Sequence, residues 1–201
     1  MFGSVWGPVC WCSAWEGRRF PTTFAAYEAA RAANAKAVSV DLIFGASGQT
    51  ADEWQEDLKR VVDLKPEHLS CYALTFEEGT LFTSWLKSGK IKQMPSECEL
   101  ELFKLTRERL NAAGYHAYEV SNFALSGHEC QHNINYWRFG DYLGIGAGAH
   151  GKYKIGAKTI RTEHRRQPRL YMGDGQPIRK IVPKEELPAE FMMNVLRLKD
   201  G

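Results

Sequence analysis

The sequence predicts an α/β protein whose parallel strands form part of a βα barrel. Between residues 21 and 123, short apolar runs rich in β-branched residues alternate with amphipathic helical stretches. Strands and helices in this order are joined by right-handed βαβ crossovers, which build a parallel sheet. Only three or four such strands can be counted, and a sheet of that size would keep exposed edges that a barrel removes. We therefore expect a partial barrel, with its chemistry at the carboxyl ends of the strands.

The first strand of this pattern is the apolar run at residues 37–44. A helix is predicted before it, from Thr22 or Thr23 to about Ala33, with the threonine as N-cap. The run itself is typical of a buried parallel strand. Because side chains alternate between the two faces of a strand, one face carries Ser39, Asp41 and Ile43 and the other carries Val40, Leu42 and Phe44.

Two capping boxes predict the longer helices that follow. Thr50-x-x-Glu53 begins a helix that extends to about Leu64, and Ser96-x-x-Glu99 begins one that extends to about Ala113. Gly114 is placed to end the second helix as a C′ glycine. The remaining predicted elements of this part are strands at 68–74 and 115–123 and a short helix that ends near Lys87.

The last third of the chain predicts smaller elements. A glycine-rich fourth strand is expected at 141–149, and a hairpin at 152–163 turns at Gly156. A helical turn at 168–172 and a helix at 185–198 follow. The predicted domains are an irregular N-terminus (1–20), the partial barrel (21–150), and a hairpin and helix that begin an accessory domain (151–201).

Composition narrows the class of protein. The 201 residues are 44% hydrophobic and 25% charged, as in ordinary globular proteins, and the net charge is only +2. Such a balance predicts no nucleic-acid partner. Five scattered cysteines favour a reducing compartment over a disulfide framework, and no apolar run is long enough to span a membrane. We therefore expect a cytoplasmic protein, or a mitochondrial one in a eukaryote.

Residues 126–151 are the predicted functional segment. They contain three of the six histidines, one cysteine and six glycines. Histidine is the side chain that titrates or ligates a metal near neutral pH, and glycines allow close approach of the backbone to a ligand. If the segment is extended, His128, Cys130 and His132 lie on one face, which permits a zinc site. Zinc takes four protein ligands, or three and a water, and a fourth ligand is not evident.

Four ordered motifs in this chain are similar to one protein family. They are Val-Ser-Val-Asp-Leu-Ile-Phe-Gly-Ala-Ser-Gly-Gln-Thr at 38–50, Leu-Ser-Cys-Tyr-Ala-Leu-Thr-Phe-Glu-Glu-Gly-Thr at 69–80, Gly-Tyr-His-Ala-Tyr-Glu-Val-Ser-Asn-Phe-Ala at 114–124, and Gly-His-Glu-Cys-Gln-His-Asn-Ile-Asn-Tyr-Trp-Arg at 127–138. The sequence resembles the radical S-adenosylmethionine (radical SAM) proteins related to oxygen-independent coproporphyrinogen III oxidase, and most closely the heme chaperone branch, HemW.

The resemblance implies the C-terminal half of a (β/α)₆ radical SAM barrel and the start of an accessory domain. Full-length members use S-adenosylmethionine and a [4Fe–4S] cluster held by Cys-x₃-Cys-x₂-Cys. This sequence does not contain that motif, so we expect a truncated member that is not active alone as a radical enzyme. By resemblance, Asp41, Ala73 and His150 are expected to line the S-adenosylmethionine pocket.

The motif His132-Asn133-x-x-Tyr136-Trp137 resembles the heme-binding motif of the chaperone branch. It implies heme as the ligand and His132 as the ligand of the heme iron, with His128 and Cys130 as alternates. The predicted function is therefore heme binding and trafficking, with heme or a porphyrin and a heme-accepting client protein as partners. The alternative is an oxygen-independent coproporphyrinogen III oxidase-type enzyme of porphyrin biosynthesis.

Overall fold

The structure is a computed structural model that describes residues 10–12 and 20–200, with side chains from residue 24 onward except residue 174. It divides into two compact units, residues 1–129 and residues 130–201. The sequence prediction placed the domain boundary after residue 150. The structure instead groups residues 130–150 with the second unit. Each unit is described by itself below.

The first unit contains a mixed sheet with helices in the connections. Its strands are β1 (Cys10–Cys12), β2 (Ser39–Phe44), β3 (His68–Ala73), β4 (His116–Ala117) and β5 (Asn122–Ala124). Its helices are α1 (Phe20–Ala32), α2 (Ala51–Asp63), α3 (Leu81–Lys87) and α4 (Ser96–Ala112). The strand order is β1-β2-β3-β5-β4.

The predicted parallel pairing is confirmed for β2 and β3. β1 pairs with β2 and β2 with β3, both parallel, and Asp41 lies opposite Ser70 in the register. The prediction of an irregular N-terminus was wrong for Cys10–Cys12, since these residues form the edge strand. The predicted alternation of β2 is confirmed, because Val40, Leu42 and Phe44 are buried and the residues between them are half-buried.

The single parallel strand predicted at 115–123 was wrong. The segment forms two short strands instead, and β5 runs antiparallel to both β3 and β4. The reversal is built around Glu119, which is buried and accepts hydrogen bonds from the Ser121 backbone N–H and the Asn122 side-chain amide. The Tyr118 backbone N–H donates a hydrogen bond to the Asn122 carbonyl, with 3.2 Å between nitrogen and oxygen, and this bond closes the turn. A carboxylate that bonds to the next residues in the chain favours a turn over an extended strand.

The apolar core of the first unit lies between β2 and the helices α2 and α4. The indole of Trp54 on α2 is fully buried and packs 5.4 Å from the ring of Phe44. Its Nε1–H donates to Thr106 Oγ1 at 2.8 Å, and the Thr106 hydroxyl donates to the Leu102 carbonyl at 2.7 Å. Because the Trp54 indole N–H and the Thr106 hydroxyl both have hydrogen-bond partners, these two side chains are buried without an unpaired donor.

The two predicted capping boxes differ in outcome. Thr50 caps α2 as predicted. Its side-chain oxygen accepts a hydrogen bond from the Glu53 backbone N–H, and the Glu53 carboxylate accepts one from the Thr50 backbone N–H. The box predicted at Ser96 was wrong, because Pro95 occupies the N-cap and no side chain makes a cap hydrogen bond. Ser96 is already the first helical residue, where its hydroxyl is not placed to reach the N3 amide. Gly114 follows α4 with φ +88°, as expected for a C′ glycine.

The second unit is a three-stranded antiparallel sheet with three short helices. Its elements are α5 (Gln131–Trp137), β6 (His150–Ile155), β7 (Lys158–Glu163), α6 (Pro168–Asp174), β8 (Ile178–Ile181) and α7 (Leu187–Val195), with strand order β6-β7-β8. The predicted hairpin and both predicted helical segments are confirmed.

The fourth strand predicted at 141–149 was wrong. Only a single bridge forms there, between Tyr142 and Lys152, and Gly146 and Gly148 have positive φ values that interrupt an extended strand. The chain folds back so closely along β6 that a Cβ on Gly144 would clash with the His150 carbonyl. None of the helices in the described part of the chain is long and apolar enough to cross a membrane.

Candidate functional site

Helix α5 arranges the predicted heme motif along one helical turn. His132 and Tyr136 are four residues apart and therefore lie on the same face. Their rings meet edge to face with centroids 5.8 Å apart, and Tyr136 meets Tyr142 in the same way at 4.5 Å. Both His132 and Tyr136 are exposed. The helix thus presents an imidazole beside two aromatic rings on an accessible surface.

The zinc site considered above required residues 128–132 to be extended, and the structure does not meet this condition. The segment is not extended, because Cys130 is the N-cap of α5 and His132 lies within its first turn. His128 precedes the helix, where its N–H bonds to the Leu125 carbonyl. Among the described residues, no three histidine, cysteine, aspartate or glutamate side chains form a group that could hold a metal ion. The residues present therefore give no basis for a zinc centre.

Cys130 contacts the imidazole of His132 from the buried side. The Cys130 Sγ lies 2.9 Å from Nδ1 and 3.7 Å from Nε2, and the cysteine is almost fully buried. Desolvation lowers the pKa of His132, so its imidazole is neutral at neutral pH. A neutral imidazole is the form that ligates iron, and ligating histidines generally have a partner that sets the ring orientation. The contact with Cys130 supplies such a partner.

A pocket of about 410 Å³ adjoins this face of α5 within the second unit. Tyr136 and Trp137 of the motif line it, and His150 of β6 lines it as well. The remaining lining residues were missed by the sequence analysis, and they come from the connection after α5, the two hairpin strands and α7. They are Tyr142, Lys152, Arg161 and Asn194.

Lys152 is the most unusual of these residues, because its side chain is only 2% exposed. Its ammonium donates to the Phe139 carbonyl at 2.9 Å and lies 3.4 Å from Asp141 Oδ1. It also sits 4.1 Å from the centroid of the Phe139 ring. Buried charges require such partners. The sequence placed Lys152 at the start of the predicted hairpin. The alternation of side chains along a strand does not show which of its lysines is buried and which is exposed.

Arg161 on β7 is held in place from α7. Its Nη2 donates to Glu190 Oε2 at 2.7 Å, and its side chain also bonds to Tyr142. The hydrogen bond to Glu190 raises the pKa of the Arg161 guanidinium further. Glu190 is not among the residues that line the pocket. The guanidinium is therefore oriented by a carboxylate that lies behind it.

Trp137 carries an unpaired donor at the same pocket. Its Nε1–H is buried and has no hydrogen-bond acceptor among the described residues. The guanidinium of Arg197 lies 4.4 Å from the centroid of its ring, within cation–π range. A buried donor without an acceptor costs free energy, so this indole N–H is a destabilising feature of the second unit.

Asp41 and Ala73, predicted to contact S-adenosylmethionine, lie on neighbouring strands of the first unit. Burial raises the pKa of Asp41, and a hydrogen bond from Ser70 on the opposite strand partly offsets this rise. Ala73 is half-buried and pairs with Phe44. Asn122 extends the polar row onto β5, where it lies opposite Ser70, and its Oδ1 is buried without a donor. His150, assigned to the same pocket by resemblance, belongs to the second unit.

Comparison with known proteins places this arrangement in a family, although no family model matches the chain. The chain is 41% identical over 169 residues to the heme chaperone HemW of Escherichia coli, an alignment that covers 83% of this chain and 43% of that protein. It is 38% identical over 137 residues to HemW of Bacillus subtilis, covering 68% and 36%. The chain belongs to the HemW-like radical SAM family.

Two further relatives extend this result. The mitochondrial radical S-adenosyl methionine domain-containing protein 1 of Danio rerio is 39% identical over 174 residues, covering 82% of this chain and 39% of that protein. The solved coproporphyrinogen III oxidase HemN of E. coli, a radical SAM enzyme, superposes with a TM-score of 0.67 at 20% identity, covering 91% of this chain and 45% of that chain. This likeness confirms the fold predicted from the sequence, a partial radical SAM-type barrel. The HemW-like chain spans less than half the length of these relatives.

Proposed function

We propose that this chain binds heme and serves heme trafficking, with His132 as the ligand of the heme iron. The observation that carries the proposal is the face of α5, where an exposed imidazole is backed by Cys130 and flanked by Tyr136. An imidazole is a common axial ligand of heme iron. Burial on one side lowers the pKa of His132, which keeps the ring neutral and able to ligate at neutral pH.

The rest of the motif supports a flat aromatic ligand. Tyr136 and Tyr142 offer ring edges and faces beside the imidazole, and ring pairs of this kind are favourable at about 4.5–7 Å between centroids. Asn133 and Trp137 lie on the same short helix and are half-buried. The curated bacterial relatives are named heme chaperones, which is consistent with the same ligand. In this proposal heme is cargo that passes to a client protein.

The rival function is that of a coproporphyrinogen III oxidase-type radical enzyme. It requires three cysteine thiolates that hold a [4Fe–4S] cluster. The sequence contains no Cys-x₃-Cys-x₂-Cys, and the cysteines whose side chains the structure describes (71, 98 and 130) form no metal-binding group. These residues do not fit the cluster, so we derive no chemical step from it.

Contacts of Asp41 and Ala73 with S-adenosylmethionine are part of the proposal for the first unit. The half-buried carboxylate of Asp41 is able to accept hydrogen bonds from a sugar hydroxyl, and Ser70 orients it. Equilibrium dialysis with radiolabelled S-adenosylmethionine tests this contact, and Asp41→Asn should weaken retention. We assign His150 to the pocket of the second unit instead of to S-adenosylmethionine, because it lies beside Tyr136 and Trp137 there.

A hemin titration followed by the Soret band tests the proposed ligand. His132→Ala should weaken binding at least tenfold, about 1.4 kcal/mol, and change the band position. His116→Ala, which removes an exposed histidine of the first unit, is the matched control and should leave the titration unchanged. A band unchanged in His132→Ala but altered in His128→Ala or Cys130→Ala would transfer the role to that alternate.

A further inference from the structure

We propose that the pocket between α5, the β6–β7 hairpin and α7 is a carboxylate subsite that receives a propionate arm of the tetrapyrrole. The inference rests on the proposed function, in which His132 ligates the iron. It assigns to Arg161, Lys152 and His150 a role in recognising the periphery of the ligand. None of the three belongs to the heme motif itself.

The lining of the pocket has the composition that an anion requires. Three basic side chains line it, namely His150, Lys152 and Arg161, and neither aspartate nor glutamate is among the described lining residues. The other lining groups are tyrosines, a tryptophan and an asparagine, which can donate hydrogen bonds. A cavity that offers donors and cations without a lining acid favours a negatively charged group.

The carboxylates that neutralise these cations lie outside the lining. Glu190 contacts Arg161 at 2.7 Å, and Asp141 lies 3.4 Å from the Lys152 ammonium. A guanidinium has five N–H donors and an ammonium has three. Arg161 bonds to Glu190 and Tyr142, and Lys152 bonds to Asp141 and the Phe139 carbonyl, so neither group is saturated. The two acids therefore position the cations, and the guanidinium retains the forked donor geometry that suits a second carboxylate.

The pocket shares one residue with the proposed iron-binding face. Tyr136 contributes to both, since it meets the His132 ring at 5.8 Å and also lines the cavity. A volume of about 410 Å³ is near the lower end of ligand pockets, which range from about 300 to 1,000 Å³. This size suits a flexible acidic arm together with one edge of the ligand better than a complete macrocycle.

Comparison of hemin with hemin dimethyl ester tests the subsite in the full chain. The two ligands share iron and macrocycle, and only hemin carries free carboxylates. The wild-type chain should bind hemin about tenfold more tightly than the diester. Arg161→Gln should weaken hemin binding about tenfold and leave diester binding within twofold, because only the carboxylate contact is lost.

Two further variants keep the result interpretable. Arg166→Gln removes an arginine with a highly exposed side chain from the same unit and should not change the preference, which controls for long-range charge. Arg161→Lys keeps a cation without the fork and should restore part of the preference, which a purely structural role would not predict.

Three results would overturn the subsite. The first is equal affinity of the wild-type chain for hemin and diester, a measurement that needs no substitution and so does not depend on the folding of a variant. The second is an equal loss for both ligands in Arg161→Gln with no recovery in Arg161→Lys. The third is failure of the wild-type chain to bind either ligand, which would reject the proposed function itself and is distinguishable from the other two.

Discussion

The two units of this chain are stabilised in different ways. The first unit buries a large apolar cluster centred on Trp54, Leu42 and Phe123. In the described part of the second unit, only Cys130 and Val182 are buried apolar residues, whereas Lys152 and two threonines are buried polar ones. The second unit therefore has an interior of hydrogen bonds and charges around a pocket. The contrast shows that the first unit is stabilised mainly by apolar packing, whereas the second unit holds the charged groups that the proposed propionate subsite uses.

The largest expected effect is on the apolar core. Trp54→Ala should lower the free energy of unfolding by about 3–5 kcal/mol, because it opens a large cavity and leaves the Thr106 hydroxyl without its donor. Chemical denaturation followed by circular dichroism measures this change. Trp85→Ala, at a half-buried tryptophan on α3, is the control and should cost clearly less. Equal losses would contradict the view that Trp54 organises the core.

Lys152→Met tests the polar interior of the second unit. The change keeps the length of the side chain but leaves the Phe139 carbonyl and the Asp141 carboxylate without their buried donor. We expect a loss of about 1–3 kcal/mol, as for other buried groups that lose a partner. Lys158→Met, at an exposed lysine at the start of β7, should be close to neutral. A gain of stability in Lys152→Met would show that hydrophobic packing suffices at this position.

Thr50→Ala tests the confirmed capping box. Loss of the Thr50 hydroxyl removes the acceptor of the Glu53 N–H, which should destabilise the first unit by about 1 kcal/mol. The matched variant is Ser96→Ala, because Ser96 makes no cap hydrogen bond and alanine is a better helix former. Urea denaturation should therefore give a lower midpoint for Thr50→Ala only. A lower midpoint for both variants would restore the second capping box.

The smallest expected effect is in the titration of His132. Burial of one side of the ring lowers its pKa, so the His132 C2 proton should titrate with a midpoint below the ordinary value of about 6.5 in NMR spectra. The lowered pKa of His132 also makes the free energy of unfolding depend on pH. Its contribution to stability is fully present above pH 6.5 and is lost as the pH falls through the lowered pKa, because the unfolded chain binds the proton more readily than the folded one. His132→Asn should abolish this part of the pH dependence. A midpoint above 6.5 would contradict the desolvated position of the ring.

Several parts of the fold were predictable because they depend on local chemistry. The alternation of β2 identified its buried side chains, and Thr50 with Glu53 identified the start of α2, since both signals come from residues a few positions apart. The family motifs identified the partial barrel. The same local logic failed at residues 115–123, where the buried Glu119 turned the chain back and β5 paired antiparallel.

The candidate site was predictable only in part. The sequence by itself determined the core strands, the α2 cap and the set of residues that makes up the histidine motif. Only the tertiary structure decided that the motif is helical, that Cys130 contacts His132, and that Lys152 and Arg161 share a pocket with Tyr136 and Trp137. The physical reason is separation along the chain. Periodicity and capping act over one or two turns, whereas a pocket forms from side chains that packing alone brings together.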